Sequence, residues 1–356
     1  MTRDGLYQRI SGICLFMVLI LGTGNCDKPP HDDSSQLVKV DSGTLVMMGT
    51  FARIQLRCQN PALGRQALAA ALEALEQVDR LMSTYRDDSE LSLVNRRAAL
   101  EPVCVSPETF RLLQNSLDFS RQSQGAFDIT VAPLVRLWKQ AALQNRLPSE
   151  SEINRAKANV GYEKLQLSEQ HQTVAFTQNG VELDVNAIAK GYAVDQALAA
   201  LRRPGVAAAL VDIGGEIACF GQDEPAKDWL IGIQDPFADD TDDPLSKRPR
   251  WFIRLTNRAV ATSGNYRRYV IINGKNFSHI IDPGTGQPAM NLPSVTIVAD
   301  TCEKADALAT VVCVLGPQKG LELIETQPAT EAFLVAGTAD EPIIYRSGGF
   351  KNYEIE

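Results

Sequence analysis

Asp306 and Thr310 stand four residues apart in a run of small residues, Ala305-Asp306-Ala307-Leu308-Ala309-Thr310. On a helix that spacing puts both side chains on one face. A carboxylate and a hydroxyl there form a hard-oxygen pair of the kind magnesium uses together with substrate phosphates. A second segment is Leu183-Asp184-Val185-Asn186-Ala187-Ile188-Ala189-Lys190-Gly191-Tyr192. A strand is expected to end near Asp184 and a helix to begin at Asn186, a favourable cap residue. The free N–H groups of a first turn can hold an anion, and Lys190 adds a positive charge for a phosphate. His279 lies in Ser278-His279-Ile280-Ile281-Asp282-Pro283, at an expected strand end before a Gly/Pro turn. A histidine so placed can act as a general base near neutral pH. Tyr85 in Ser83-Thr84-Tyr85-Arg86 and Phe127 in Gly125-Ala126-Phe127-Asp128 can stack on or wall a flat ring. Each segment alone has a plainer reading: a capped helix with a surface lysine, an exposed aspartate beside a packing threonine, a structural histidine bonded to Asp282, and core aromatics.

Other chemistries are disfavoured. The three histidines (His31, His171, His279) are too few for a histidine-built zinc site, and no HExxH motif occurs. None of the seven cysteines forms a CxxC pair, and no disulfide is assigned. Gly284-x-Gly286-x-x-Ala289 fits a loose dinucleotide fingerprint, but Pro283 and Pro288 make it a turn. There is no GxxxxGK[ST] loop, and Ala261-Thr262-Ser263-Gly264 is not a GxSxG elbow. The formal net charge is -8 and no dense Lys/Arg stretch appears, which argues against a nucleic-acid partner.

The elements that must position these residues follow from periodicity. Helices are predicted over residues 64–82, 107–122, 187–201 and 303–315, the second capped by Ser106 with Pro107 at its first position. Strands are predicted over residues 206–213, 251–255, 269–272, 295–299 and 333–336, with Asn273-Gly274 as a hairpin turn. The interspersed pattern favours an α+β fold, mixed sheets flanked by helices in a single large catalytic domain of one or two subdomains. With 356 residues, 44% of them hydrophobic, the chain can bury a core without staples. The acidic run Asp239-Asp240-Thr241-Asp242-Asp243-Pro244 is read as a solvated surface loop rather than a calcium site.

The chain opens with Arg3 and Arg9 and then an apolar run, Ile13-Cys14-Leu15-Phe16-Met17-Val18-Leu19-Ile20-Leu21. That run is short for a membrane span of ~20 residues and fits a signal-peptide core. Cys26 follows closely, so residues 1–25 are expected to be a lipoprotein-type signal and Cys26 the lipidated residue. Thr23 and Asn25 depart from the usual leucine and small residue before such a cysteine. Residues 26–43 are polar with two prolines and are expected to be a flexible tether, followed by the catalytic domain over 44–356. The expected location is the periplasmic side of a bacterial membrane, lipid-anchored.

Taken together, the segments resemble the ApbE family of FAD:protein FMN transferases. The resemblance runs in order from Met48-Gly49-Thr50 through Ser83-Thr84-Tyr85, Ser89-Glu90-Leu91-Ser92 and Gly125-Ala126-Phe127-Asp128-Ile129-Thr130. It continues through Ile188-Ala189-Lys190-Gly191-Tyr192, Asp212-Ile213-Gly214-Gly215-Glu216, Ala261-Thr262-Ser263-Gly264 and His279-Ile280-Ile281-Asp282-Pro283 to Ala305-Asp306-Ala307. It implies Mg²⁺-dependent transfer of the FMN half of FAD to a Thr or Ser hydroxyl of an acceptor protein, with release of AMP. By position, Met48, Tyr85, Ala126, Phe127, Asp128, Asp184, Lys190 and Ile280 would contact FAD. Asp306, Thr310 and the carbonyl of Ala187 would bind magnesium, and His279 would assist deprotonation of the acceptor hydroxyl. Asn186 stands where the family commonly has glycine. Family acceptors carry Asp-Gly-x-Thr/Ser, as in subunits of respiratory redox complexes. No such run occurs here, which argues against self-modification. Two alternatives stay open: a Mg²⁺-dependent FAD pyrophosphatase giving FMN and AMP, and an exported flavin-binding lipoprotein without catalysis.

Overall fold

The computed structural model describes residues 37–238, 249–264 and 269–355. The expected signal segment, Cys26, His31, most of the expected tether, the acidic run from Asp239 and residues 265–268 lie outside the described residues.

The strands are β1 (Val38–Asp41), β2 (Leu45–Met47), β3 (Thr50–Cys58), β4 (Val103–Cys104), β5 (Leu165–Ser168), β6 (Thr173–Phe176), β7 (Val206–Ile213), β8 (Glu216–Phe220), β9 (Trp229–Gln234), β10 (Pro249–Leu255), β11 (Ala259–Gly264), β12 (Tyr269–Ile272), β13 (Lys275–Ser278), β14 (Ser294–Ala299), β15 (Glu331–Gly337) and β16 (Pro342–Arg346). The helices are α1 (Pro61–Met82), α2 (Glu90–Arg97), α3 (Pro107–Gln122), α4 (Ala132–Leu143), α5 (Glu150–Lys157), α6 (Ala189–Leu201), α7 (Cys302–Leu315) and α8 (Pro317–Glu325). The main sheet is antiparallel in the order β1-β3-β7-β8-β11-β14-β15-β16, with β2 added beside β3. Two hairpins, β9–β10 and β12–β13, and a three-stranded sheet β4-β6-β5 complete the mixed α+β architecture.

Alternation along the strands divides the interior. Ala209, Val211, Ala218, Ala261 and Ile297 face α1, α6 and α7, whereas Leu210, Ile217, Cys219, Val260 and Val298 face the β9–β10 hairpin. Both faces of the central strands are therefore covered, and β8 and β14 are buried along their whole length. A third cluster, built on Leu134, Trp138, Ile153, Ile272 and Ile281, fastens α4 and α5 to the β12–β13 hairpin. The Trp138 indole N–H donates to the carbonyl of Gly286 at 2.9 Å.

The four predicted helices and five predicted strands are present; residues 107–122, 206–213 and 269–272 match end for end and the others have shifted ends. α1 starts at Pro61, where Asn60 caps it by accepting from the Leu63 N–H at 3.0 Å. Gly64 is a contact point inside that helix, since a Cβ there would lie 2.5 Å from Val40 Cγ2 and 2.7 Å from Cys58 Sγ. Ser106 caps α3, accepting from Thr109 N–H at 3.3 Å. Asn273 and Gly274, with φ of 51° and 73°, form the expected hairpin turn, a conformation suited to that residue pair.

Two boundaries are corrected. Val38–Asp41, assigned by composition to the tether, is strand β1 in register with β3. The main-chain pairing, with Val38 and Val40 packed against the core, outweighs the polarity of the segment. Residues from Leu37 onward form one compact unit, not two subdomains. Among the described residues no helix is long and apolar enough to cross a membrane.

Candidate active site

A cavity of about 1030 Å³ lies among strands of the main sheet, α7, the turn before α6, β9 and the β12–β13 hairpin. Its wall comes from many elements: Thr50 of β3, the turn after α3, the turn before α6, the β7–β8 turn, β9, β11, the β12–β13 hairpin and α7. Tyr85, Ala126, Phe127, Asp128, Asp184, Ala187, Lys190, His279, Ile280, Asp306 and Thr310 all line it. Segments more than 200 residues apart in sequence thus converge on one cavity. Met48 does not line the cavity; it sits in the β2–β3 turn at φ 49°, next to Gly49 and Thr50, which do.

The turn before α6 differs from the expectation. No strand ends at Asp184; Glu182, two residues earlier, makes only a single bridge to Val131, and the Asp184 N–H donates to the Ile129 carbonyl at 2.7 Å. Asn186 is not the helix cap. Its N–H donates to Asp184 Oδ1 at 2.9 Å, so residues 184–186 form a local turn and the helix starts at Ala189. An aspartate two residues before a free N–H competes effectively for that donor. Lys190 is still in the first turn of the helix.

α6 and α7 approach very closely at this point. A Cβ on Gly191 would lie 2.3 Å from the Cys302 carbonyl oxygen and 2.8 Å from Asp306 Cβ. Asp306, 2% exposed, accepts from the Gly191 N–H at 3.0 Å. Thr310 follows one turn later on the same face. Ala187 lines the same cavity, so a carboxylate, a hydroxyl and a residue offering its main-chain carbonyl share the wall. Among the described residues no group of three or more His, Cys, Asp or Glu is placed to hold a metal. The oxygen set on α7 fits a hard cation that keeps most of its shell for phosphate and water.

Asp128 is buried, and burial pushes its carboxyl above the ordinary value. Its Oδ1 accepts from the Thr130 N–H at 2.8 Å and from the Thr130 hydroxyl at 2.7 Å. The two aromatics divide. Tyr85 is 81% exposed at the mouth and its ring can take a stacking partner, whereas Phe127 is 1% exposed and packs edge-on against Phe119 at 6.0 Å. Phe127 therefore backs the wall from the core. His279 is exposed, one residue after β13 ends, and Ile280 beside it is buried. The oxygens of Asp282 take the Gly284 N–H and the Thr285 hydroxyl, both at 2.8 Å, and so hold the next turn.

Residues without a sequence-level role also reach the cavity: Lys139, Asp212, Glu216, Gln234 and Tyr269. Glu216 forms a buried ion pair with Lys190. Its signal in the sequence was an acid directly after two glycines between apolar runs. Asp212 Oδ1 accepts from the Gly215 N–H at 2.9 Å, and Gly214 and Gly215 both take positive φ, 67° and 100°. This two-residue turn aims both acids at the cavity.

Acidic residues outnumber lysines along the wall. A dianionic pyrophosphate would meet Lys190 and the start of α6, and needs a further cation to offset the carboxylates. A mixed α+β fold with such a wall, a stacking ring at the mouth and a histidine at the rim defines a class of protein that handles phosphate-bearing nucleotides. More particularly, the chain belongs to the ApbE family, whose model matches residues 48–334. It is 32% identical over 345 residues to the FAD:protein FMN transferase of Vibrio cholerae, covering 96% of this chain and 98% of that one. It is 30% identical over 335 residues to the Escherichia coli enzyme of the same name, covering 93% of each. Among solved structures, the flavin transferase ApbE of V. cholerae superposes with a TM-score of 0.76 at 31% identity, over 89% of this chain and 99% of that one. The ApbE protein of Thermotoga maritima gives 0.76 at 32% identity, over 90% and 100%.

Proposed function

We propose that this protein transfers the FMN half of FAD to a hydroxyl of an acceptor protein, with Mg²⁺, and releases AMP. The observation that carries the reading is the convergence of Lys190, Asp306, Thr310, Ala187 and His279 on one cavity. The names of its relatives at about 30% identity over nearly the whole chain support it.

Lys190 and the N-terminal turn of α6 would bind the pyrophosphate, and Tyr85 would stack on a ring of the dinucleotide. Asp306, Thr310 and the Ala187 carbonyl would hold magnesium, which neutralises charge developing on the phosphates. His279, exposed at the rim, would accept the proton of the acceptor hydroxyl. The hydroxyl oxygen forms a bond to the FMN phosphorus as the bond to the AMP oxygen breaks, and AMP departs with that electron pair. A rim position suits His279, because the acceptor is a macromolecule that must approach from outside.

The acceptor is expected to be a respiratory redox-complex subunit bearing Asp-Gly-x-Thr/Ser. The sequence before residue 27 supports a lipid anchor at Cys26 and a periplasmic site of action. The test uses the full chain in detergent with FAD, MgCl₂ and a folded acceptor domain carrying that motif. A denatured acceptor that is fluorescent and heavier by one FMN, only with magnesium, is the expected result. FMN and AMP without an adduct would establish the pyrophosphatase instead, and bound FAD with neither product a binding protein. His279→Ala should lower transfer by roughly 10²–10⁴-fold with FAD binding retained; unchanged transfer would remove His279 from the chemistry.

A further inference from the structure

The side chain of Glu216 has a use that its ion pair does not exhaust. It is 3% exposed at the start of β8, fixed by the pairing of Ile213 with Glu216 across the two-glycine turn. One carboxylate oxygen, Oε1, is taken by the Lys190 ammonium. The other, Oε2, is buried and has no hydrogen-bond partner among the described residues. Leaving a buried carboxylate oxygen without a donor costs free energy that folded proteins rarely tolerate without a reason. The residue borders the cavity, so a ligand can supply the donor.

The chemistry limits what that donor can be. A phosphate oxygen is an anionic acceptor and is repelled by a carboxylate. The part of the ligand that meets Oε2 must therefore be a neutral O–H or N–H, while the phosphate meets Lys190 next to it. In a dinucleotide the groups flanking the pyrophosphate are sugar and ribityl hydroxyls. We propose that Glu216 is a specificity-determining residue: it holds Lys190 with one oxygen and with the other accepts a hydrogen bond from a ribityl or ribose hydroxyl beside the pyrophosphate. Bare pyrophosphate satisfies only the lysine; FAD satisfies both. The inference rests on FAD being the bound dinucleotide.

The test compares two ligands on the full chain at saturating Mg²⁺, FAD by flavin fluorescence quenching and inorganic pyrophosphate by calorimetry. Glu216→Ala should weaken FAD about tenfold or more, a loss at least about fivefold greater than any it causes for pyrophosphate, which feels only the change at Lys190. Glu216→Gln, which can still exchange a hydrogen bond with a hydroxyl, should restore FAD binding to within about threefold of the parent. If FAD and pyrophosphate weaken by the same factor in Glu216→Ala, Glu216 serves Lys190 alone and the inference fails. It fails also if neither affinity changes. Should the alanine variant not fold, the unmutated protein decides. FAD analogues lacking the ribityl or the ribose hydroxyls must bind at least about tenfold more weakly in one of the two series, and equal binding of both would overturn the inference. An unmutated protein that binds no FAD at all would refute the proposed function, a result separate from any effect at Glu216.

Discussion

The α6–α7 pair buries carboxylates on two sides, and the two sides treat them differently. On the side away from the cavity, Asp195 accepts from the Cys302 and Glu303 N–H groups, both at 2.9 Å. Glu303 in turn accepts from the Asn115 amide at 3.0 and 3.1 Å. These oxygens are closed by the protein itself: they cap α7 and tie it to α6 and α3. On the cavity side, Glu216 leaves an oxygen for something that is not part of the fold. A buried acid that serves architecture is saturated by its own chain, while one that serves a ligand keeps capacity in hand.

The most severe way to break this contrast is to move the helices together. Gly191→Ala should abolish transfer and lower Tm by several degrees, since the new methyl meets main-chain atoms of α7. Overpacking of this kind costs about 1–3 kcal/mol. A variant with parental Tm and activity would show that the close approach is not needed. Asp306→Asn comes next. It preserves the acceptor for the Gly191 N–H but loses the charge, so transfer should fall by at least about 100-fold with little change in Tm. A normal magnesium titration curve in this variant would remove Asp306 from the proposed metal site.

The far side should respond in stability and not in catalysis. Burial pushes Asp195 up to about 6 and Glu303 up to about 7. An acid whose pKa is higher folded than unfolded binds its proton more tightly in the folded state. Its contribution is therefore most favourable below about pH 4 and is lost as pH rises through the folded values of about 6 and 7. Between pH 5 and 8 the parent should lose more Tm than the Asp195→Asn/Glu303→Gln double variant, and parallel curves would contradict that assignment. The smallest effect is expected for Asn115→Ala, which removes one donor to Glu303: about 1 kcal/mol of stability, measured by urea unfolding, with FAD affinity unchanged.

The two sides were not equally legible in the sequence. Asp306, Thr310, Lys190 and His279 each have a plainer reading alone, and they stand out because the segments carrying them follow, in order, the pattern of one family. The helix carrying Asp306 and Thr310 was readable from its own pattern, and Gly316 ends it as expected. Asp195 and Glu303 carried no such mark, since an acid on a helix is ordinarily solvated; only the packing of three distant helices buries them. β8 and most of β11 are covered on both faces, and such strands lose the alternation that marks a strand. β9 alternates in burial, but its outward Leu230 is 58% exposed and makes the sequence read as an unbroken apolar run. Asn186 misled because the sequence shows a good cap residue but not the neighbouring Asp184 oxygen that takes its N–H.

The close seat of Gly191 against Cys302 has a consequence for how the molecule can change over evolutionary time. α7 contributes most of its residues to the core and, on one edge, the proposed metal ligands. Drift in the packing residues would tilt that edge, and adjustment of the ligands would loosen the packing. The helix pair is therefore expected to vary slowly as one block, leaving the rim around Tyr85 and the β9–β10 and β12–β13 hairpins as the surfaces on which lineages can fit new acceptors.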